Sequence, residues 1–169
     1  MIIINSGFPV FYLQTRVGKH NRDFKLFKFR TMRTDSDKKG LLTVGGRDPR
    51  ITGIGYYLRK YKIDELPQLF NVLLGSMSLV GPRPEVRKYV DLYNAEQLMV
   101  LSVKPGITDF ASLQFINEND LLSASSNPEQ TYITEVMPQK LALNKKYIQE
   151  QGLATDIKII LATIKKIIR

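Results

Sequence analysis

Apolar positions along this chain follow two periods. Residues 8–17, FPVFYLQTRV, and 24–32, FKLFKFRTM, are aromatic and β-branched. In the second run Phe24, Leu26, Lys28 and Arg30 point one way, and Lys25, Phe27, Phe29 and Thr31 the other, which is the two-residue alternation of a strand. With the polar GKHNRD between them, the two runs predict a hairpin with a longish loop, one face ending in Lys28 and Arg30. The stretch 34–53 is rich in Gly, Asp and Lys and predicts a mobile loop. Residues 54–61, IGYYLRKY, predict a short helix carrying Arg59 and Lys60. Leu66, Leu69, Phe70, Leu73 and Leu74 then recur at helical spacing. Pro67 is tolerated only in a first turn, so this helix is predicted to start near Asp64, and Gly75 stops it.

The second half reads mainly as helix. Pro82 and Pro84 fix φ on both sides of Arg83 in a stiff turn. Residues 85–103 predict a helix, KPGITDF a turn, 117–130 a polar loop and 131–150 another helix. In the tail 156–169, Ile157, Ile160, Leu161, Ile164 and Ile168 form one stripe, with Lys158, Lys165 and Arg169 away from it. Such a helix packs on a core or lies on an anionic lipid surface. The predicted fold is a mixed α/β (α+β) single domain over 1–169, a small antiparallel hairpin with several helices, some of them amphipathic interface helices.

Composition narrows the chemistry. There is no cysteine, which excludes disulfides and thiolate metal sites. The single histidine, His20, lies in a polar stretch and reads as a solvated turn residue. No uninterrupted apolar run reaches the roughly 20 residues that span a bilayer, and no signal-peptide pattern is present. The net charge of +9 is unevenly spread: residues 1–65 hold 14 Lys and Arg against 6 Asp and Glu, residues 66–169 hold 11 against 10. An excess gathered in one part points to an anionic partner, such as nucleotide phosphates, nucleic acid or an acidic membrane surface; a merely soluble basic face accounts for it equally well.

Within that basic half, Asp64 and Glu65 stand side by side, with Arg59, Lys60 and Lys62 before them and Arg83 after. An acid at a helix start is held ionised by unpaired N–H groups, and capping alone would explain one acid. Two adjacent acids diverge and can do different work. An ionised Asp can attack a phosphoryl group and form an acyl phosphate. A neighbouring Glu can hold Mg²⁺, which shares oxygen ligands with substrate phosphates. Guanidinium groups bind phosphate in a forked geometry and screen the repulsion between anionic nucleophile and anionic substrate. Neither a Walker loop nor a dinucleotide-binding glycine fingerprint is present.

Four stretches carry a resemblance: PVFYLQTRVGK with FKLFKFRTMR; DPRITGIGYYLRKYKIDELPQLFNVLLGSMSLVGPRPE; VKPGIT; and YIQEQGLATDIKIILATIKKI. From about residue 7 to the end the chain resembles the bacterial sugar transferases, monotopic phosphoglycosyl transferases that begin glycan assembly on a polyprenyl phosphate. The resemblance implies that Asp64 attacks the β-phosphate of a nucleotide-diphosphate sugar, that UMP leaves, and that polyprenyl phosphate then takes the phosphosugar. It implies that Glu65 contacts Mg²⁺, that Arg83 meets substrate phosphate or nucleotide, and that Arg59, Lys28 and Arg30 are further substrate-binding cations. Its expected partners are a UDP-sugar, polyprenyl phosphate and the cytoplasmic face of the bacterial inner membrane, with no nucleic acid; a homodimer is left open.

Two departures accompany it. Members of the family usually open with a long apolar re-entrant helix, whereas only MIIIN precedes the motifs here; either the sequence as given is trimmed or starts late, or the chain is a soluble or peripheral relative. The segment after PGIT reads DFASLQFINEN where the family is close to GLAQVNGR, and this region is expected to bear on the sugar or nucleotide. Two other readings compete. One is a basic binding module for nucleic acid or anionic lipid, using aromatics and cations in FKLFKFR without catalysis. The other is a remnant whose amphipathic helices expose faces that want a bilayer or a partner chain.

Overall fold

A computed structural model describes residues 2–34, 36, 40, 42–45 and 48–168. After a short helix α1 (Ile2–Ser6), strands β1 (Phe11–Val17) and β2 (Asp23–Phe29) pair antiparallel, with Phe11 opposite Phe29 and Val17 opposite Asp23. The expected hairpin is present, and His20 sits exposed in its loop. Its aromatic end is reinforced by Phe11 and Phe29, whose rings stack with centroids 5.4 Å apart.

Helix α2 (Gly53–Lys60) is capped by Thr52, whose side chain accepts from the Gly55 N–H at 3.0 Å. A Cβ on Gly55 would sit 2.1 Å from the Thr31 carbonyl oxygen, so only glycine lets α2 lie directly on the chain leaving β2. In the preceding loop Arg50 gathers the described residues, donating to Asp48 and to the carbonyls of Gly40 and Leu42. The rest of the expected loop, residues 35, 37–39, 41 and 46–47, lies outside the described residues.

The helix expected to start at Asp64 is two pieces. A one-turn 3₁₀ helix spans Ile63–Glu65, and α3 (Gln68–Leu73) begins only after Pro67. The break puts the two acids on a tight turn of about 120° per residue, so their side chains diverge. α3 is locked to the hairpin by Asn71, which is 2% exposed. Its amide donates to the Lys25 carbonyl at 2.8 Å and accepts from the Phe27 N–H at 2.9 Å, completing the free edge of β2.

Strands β3 (Ser78–Val80) and β4 (Gly106–Thr108) form a parallel pair where a simple turn is predicted at KPGITDF. A Cβ on Gly106 would fall 2.1 Å from the Gly81 nitrogen. That close approach is what brings the chain after β4 beside the Pro82–Pro84 turn. The predicted helix over 85–103 is also broken, into α4 (Arg87–Val90) and a 3₁₀ segment Gln97–Ser102. Asn94 and Gln97 each accept the other's backbone N–H at 2.9 Å, a reciprocal cap that starts a new segment. The predicted polar loop 117–130 contains α6 (Glu118–Ser123) and the start of α7 (Pro128–Thr131), the latter capped by Asn127. α5 (Phe110–Gln114) precedes them, and a π-turn over Tyr132–Val136 leads into α8 (Met137–Glu150).

The main core gathers Val86, Tyr89, Val100, Leu122, Tyr132, Val136, Met137 and Leu141 between α4, α6 and α8. A smaller cluster of Val80, Tyr147 and Ile159 seats the terminal helix α9 (Leu153–Ile168). Of the predicted α9 stripe only Ile160 packs on that core. Ile159 is the buried residue of α9 and Thr163 bonds Thr108 at 2.7 Å, while Ile157, Leu161, Ile164 and Ile168 are exposed. Among the described residues no helix is long and apolar enough to cross a membrane.

Candidate active site

The hairpin, the 3₁₀ turn and the Pro82–Pro84 turn converge on one cavity of about 710 Å³. Lys62, in left-handed conformation with φ 55°, reverses the chain after α2 and delivers Asp64 and Glu65 to the cavity wall. Lys28 reaches it from β2, Arg59 from the last turn of α2, and Arg83 from between its two prolines. Five of the six residues expected at the site are thus brought together. Arg30 is not. β2 ends at Phe29, and the Arg30 guanidinium turns to the segment after α1, donating to the Phe8 carbonyl at 2.8 Å and to Ser6 and Gly7. Its place is a clamp on that segment, and it does not line the cavity.

The neighbouring acids live in opposite environments. Glu65 is fully engaged: Arg83 grips both carboxylate oxygens, with Nη1 at 3.0 Å from Oε2, and Lys28 lies 3.7 Å away. Burial would push the Glu65 pKa up, but Arg83 and Lys28 outweigh it and hold the carboxyl well below its usual range. Glu65 in turn raises Arg83 against the effect of burial. Lys28 is lowered to about 8, by burial first, opposed by Glu65, with Arg83 and Arg16 adding to the fall. Asp64 is 6% exposed, and its Oδ1 is buried with no hydrogen-bond partner. Burial, then the charge on Glu65, raises the Asp64 pKa; Lys28, Arg59 and Lys62 draw it back. The result is a carboxylate of raised basicity, one of its oxygens unengaged, in the wall of a cavity lined with cations.

Arg59 is held by its neighbours, donating through Nε to Thr31 Oγ1 at 2.9 Å and through Nη1 to Thr43 Oγ1 at 3.1 Å. The stiff turn carrying Arg83 is fastened from two sides by residues the sequence reading passed over. Arg16 donates to the Pro84 carbonyl and to Glu85 Oε1, both at 3.1 Å, and the Tyr132 hydroxyl donates to Glu85 Oε2. Asp109, fully buried, accepts from the Arg83 N–H at 3.3 Å and from the Ser112 N–H at 2.6 Å. Asp109 has a sequence signal, an acid directly ahead of a helical apolar run. Arg16 has none, because its partner lies 69 positions away.

The residues also test the expected dication. Among the described residues, no group of three or more acidic or histidine side chains converges. Mg²⁺ needs only one or two carboxylates when substrate phosphates complete its shell, and Asp64 has an oxygen, Oδ1, with no hydrogen-bond partner. Both oxygens of Glu65 accept from Arg83, so an ion held there would share the carboxylate with the guanidinium through the remaining lone pairs.

The chain matches known proteins along its length. It is 38% identical, over 99% of its residues, to a UDP-N-acetylgalactosamine-undecaprenyl-phosphate N-acetylgalactosaminephosphotransferase of Aeromonas hydrophila, of which it spans 37%. It is 38% identical over 99% of its residues to the uncharacterized sugar transferase EpsL of Bacillus subtilis, of which it spans 74%. It is 36% identical over 96% of its residues to a UDP-glucose:undecaprenyl-phosphate glucose-1-phosphate transferase of Escherichia coli, of which it spans 33%. The family profile for bacterial sugar transferases matches residues 1–169, and on that match the chain belongs to the bacterial sugar transferase family.

Proposed function

We propose that the chain is the catalytic domain of a phosphoglycosyl transferase, moving a sugar 1-phosphate from a UDP-sugar to a polyprenyl phosphate at the start of glycan assembly. The observation that carries this is Asp64 Oδ1, a buried, unpartnered carboxylate oxygen in a cavity lined by Lys28, Arg59, Lys62 and Arg83. The names of the Aeromonas and Escherichia relatives, both transferases of a UDP-sugar and undecaprenyl phosphate, support it.

In this reading the diphosphate enters the cavity and its charge is met by Arg59, Lys62 and Lys28. An Asp64 oxygen forms a bond to the sugar-bearing phosphorus as the P–O bond to UMP breaks, and UMP leaves with the electron pair. The phosphate oxygen of the polyprenyl acceptor then attacks the same phosphorus. The Asp64–phosphorus bond breaks, the carboxylate returns, and a polyprenyl-diphosphate sugar is released. Glu65 keeps Arg83 ionised and aimed. Mg²⁺, held by Glu65 and Asp64, would supply charge neutralisation on the phosphates.

The acceptor is a lipid, and the cavity rim suits one. Leu66, Leu69, Leu79 and Ile164 line the cavity and are also exposed. Beside them Leu73 is 82% exposed and Leu161 62%. Exposed apolar side chains of this kind fit a membrane surface, which this reading takes to be the cytoplasmic face of the inner membrane. Intact-protein mass spectrometry after incubation with UDP-glucose, UDP-galactose, UDP-N-acetylglucosamine or UDP-N-acetylgalactosamine and Mg²⁺ tests the reading. One of them adds a phosphosugar mass, and Asp64→Asn abolishes it; normal turnover by that variant would remove Asp64 as nucleophile.

A further inference from the structure

The cavity has a second wall that the phosphate chemistry leaves unused. It is built from α5 and α8, on the side away from the hairpin. Two buried oxygens there have no hydrogen-bond partner: Ser112 Oγ and Asn144 Oδ1. Both residues line the same cavity as Asp64, and Asn144 is 6% exposed. Buried polar atoms without partners are uncommon in folded proteins because each costs stability, so two on one cavity wall call for a ligand that satisfies them.

We propose that Ser112 and Asn144 form a neutral subsite that reads the sugar ring of the donor. This deepens the proposed function and rests on it. The groups are uncharged, so they match hydroxyl or acetamido groups and do not match phosphate. Asn144 Oδ1 accepts from a ring hydroxyl or an amide N–H; Ser112 Oγ donates or accepts as the ring demands. Their place follows from the hydrogen-bond chain. Arg83 grips Glu65 with its side chain, its own N–H meets Asp109 at 3.3 Å, and Asp109 meets the Ser112 N–H at 2.6 Å. Ser112 is therefore tied through a single carboxylate to the arginine beside the dyad. Because Asp64, Ser112 and Asn144 line one cavity, the proposal places the sugar of a donor whose phosphorus lies at Asp64 against this wall. A site that hydrogen-bonds a particular hydroxyl rejects the analogue lacking it, because its own buried groups are then left unpaired.

Calorimetric titration separates this claim from catalysis, because it needs no turnover. UDP, UDP-glucose, UDP-galactose, UDP-N-acetylglucosamine and UDP-N-acetylgalactosamine are each titrated into the protein and into Ser112→Ala and Asn144→Leu. Expected is a preference among the four sugars that each variant flattens by about tenfold, with UDP binding unchanged within about twofold. Retention of the sugar preference in both variants overturns the proposal. So does an equal loss of UDP affinity, which would make this a nucleotide subsite, and so does a wild-type protein that binds no UDP-sugar differently from UDP. Thermal melting supplies the control on folding. Because neither oxygen has a partner, both variants melt at or above the wild-type temperature, and a Ser112→Ala protein with a lowered Tm assigns that oxygen to the fold and overturns its assignment. If no sugar forms a covalent adduct yet the preference and its loss are measured, the subsite stands and the covalent mechanism fails.

Discussion

The two walls of the cavity are finished to different degrees. On the hairpin side, Glu65, Arg83 and Arg59 are each hydrogen-bonded, and Asp64 Oδ1 is the exception among them. On the α5–α8 side, Ser112 Oγ and Asn144 Oδ1 are buried and unmet. The charged wall can be assembled in advance because ionised groups compensate one another, as Glu65 does for Arg83 and Lys28. On the other side Lys140 and Glu118 compensate each other in the same way, but Ser112 Oγ and Asn144 Oδ1 have no partner in the fold, and in the proposed reading the donor sugar supplies their hydrogen bonds. The contrast separates a surface organised for any phosphate from one organised for a particular partner.

Asp64→Asn tests the exception on the charged wall most severely. Turnover falls by at least about 10³-fold, measured with radiolabelled UDP-sugar, because the amide cannot form the acyl phosphate. Folding does not suffer: Oδ1 has no partner to lose, so Tm holds or rises. Equal loss of Tm and activity would place Asp64 in the scaffold.

Asn71→Ala breaks the clamp that carries α3 against β2. It removes both amide bonds to the buried edge at Lys25 and Phe27, and urea unfolding reads a loss of about 3 kcal/mol. Arg83→Lys keeps the charge and discards the fork, so Glu65 loses its two-pronged grip. kcat/KM falls about 100-fold, since the turn between the prolines remains while the phosphate contact is misplaced.

The pH profile compares the two ionisations of the charged wall. Activity is lost as pH falls through the Asp64 pKa, and because burial raises that pKa the acid limb lies above the ordinary carboxylate position of 3.8. It is lost again as pH rises through about 8, where the half-buried Lys28 gives up its proton. Lys28→Arg moves the alkaline limb up by more than one pH unit and leaves the acid limb in place. The smallest effect on stability belongs to the rim. Leu73→Glu and Leu161→Glu change ΔG of unfolding by no more than about 0.5 kcal/mol, as both side chains are exposed. Cosedimentation with anionic phospholipid vesicles nonetheless drops for each.

Much of the local structure was legible. The alternation in FKLFKFRTM marks β2, the helical spacing marks α2 and α9, and the adjacent acids with their flanking cations mark the site. Failures cluster where tertiary contacts override local pattern. The run 85–103 carries helical residues throughout, yet Asn94 and Gln97 cap each other and split it. KPGIT reads as a turn, yet Gly106 and Gly81 approach closely enough for a parallel ladder. The α9 stripe was visible, but whether it meets core or solvent was not, and Ile159 with Thr163 decides it.

What the sequence determines by itself is therefore the kind of chemistry, because residue type sets charge, basicity and donor count. It supplies two acids, their cations and the stiff turn that presents Arg83. Tertiary structure alone decides which acid is quenched and which is free. Glu65 meets Arg83, 18 positions away, while Asp64, one residue earlier, meets no donor at Oδ1. A pKa depends on burial and on charges a few ångströms off, and those distances exist only once the chain has closed on itself.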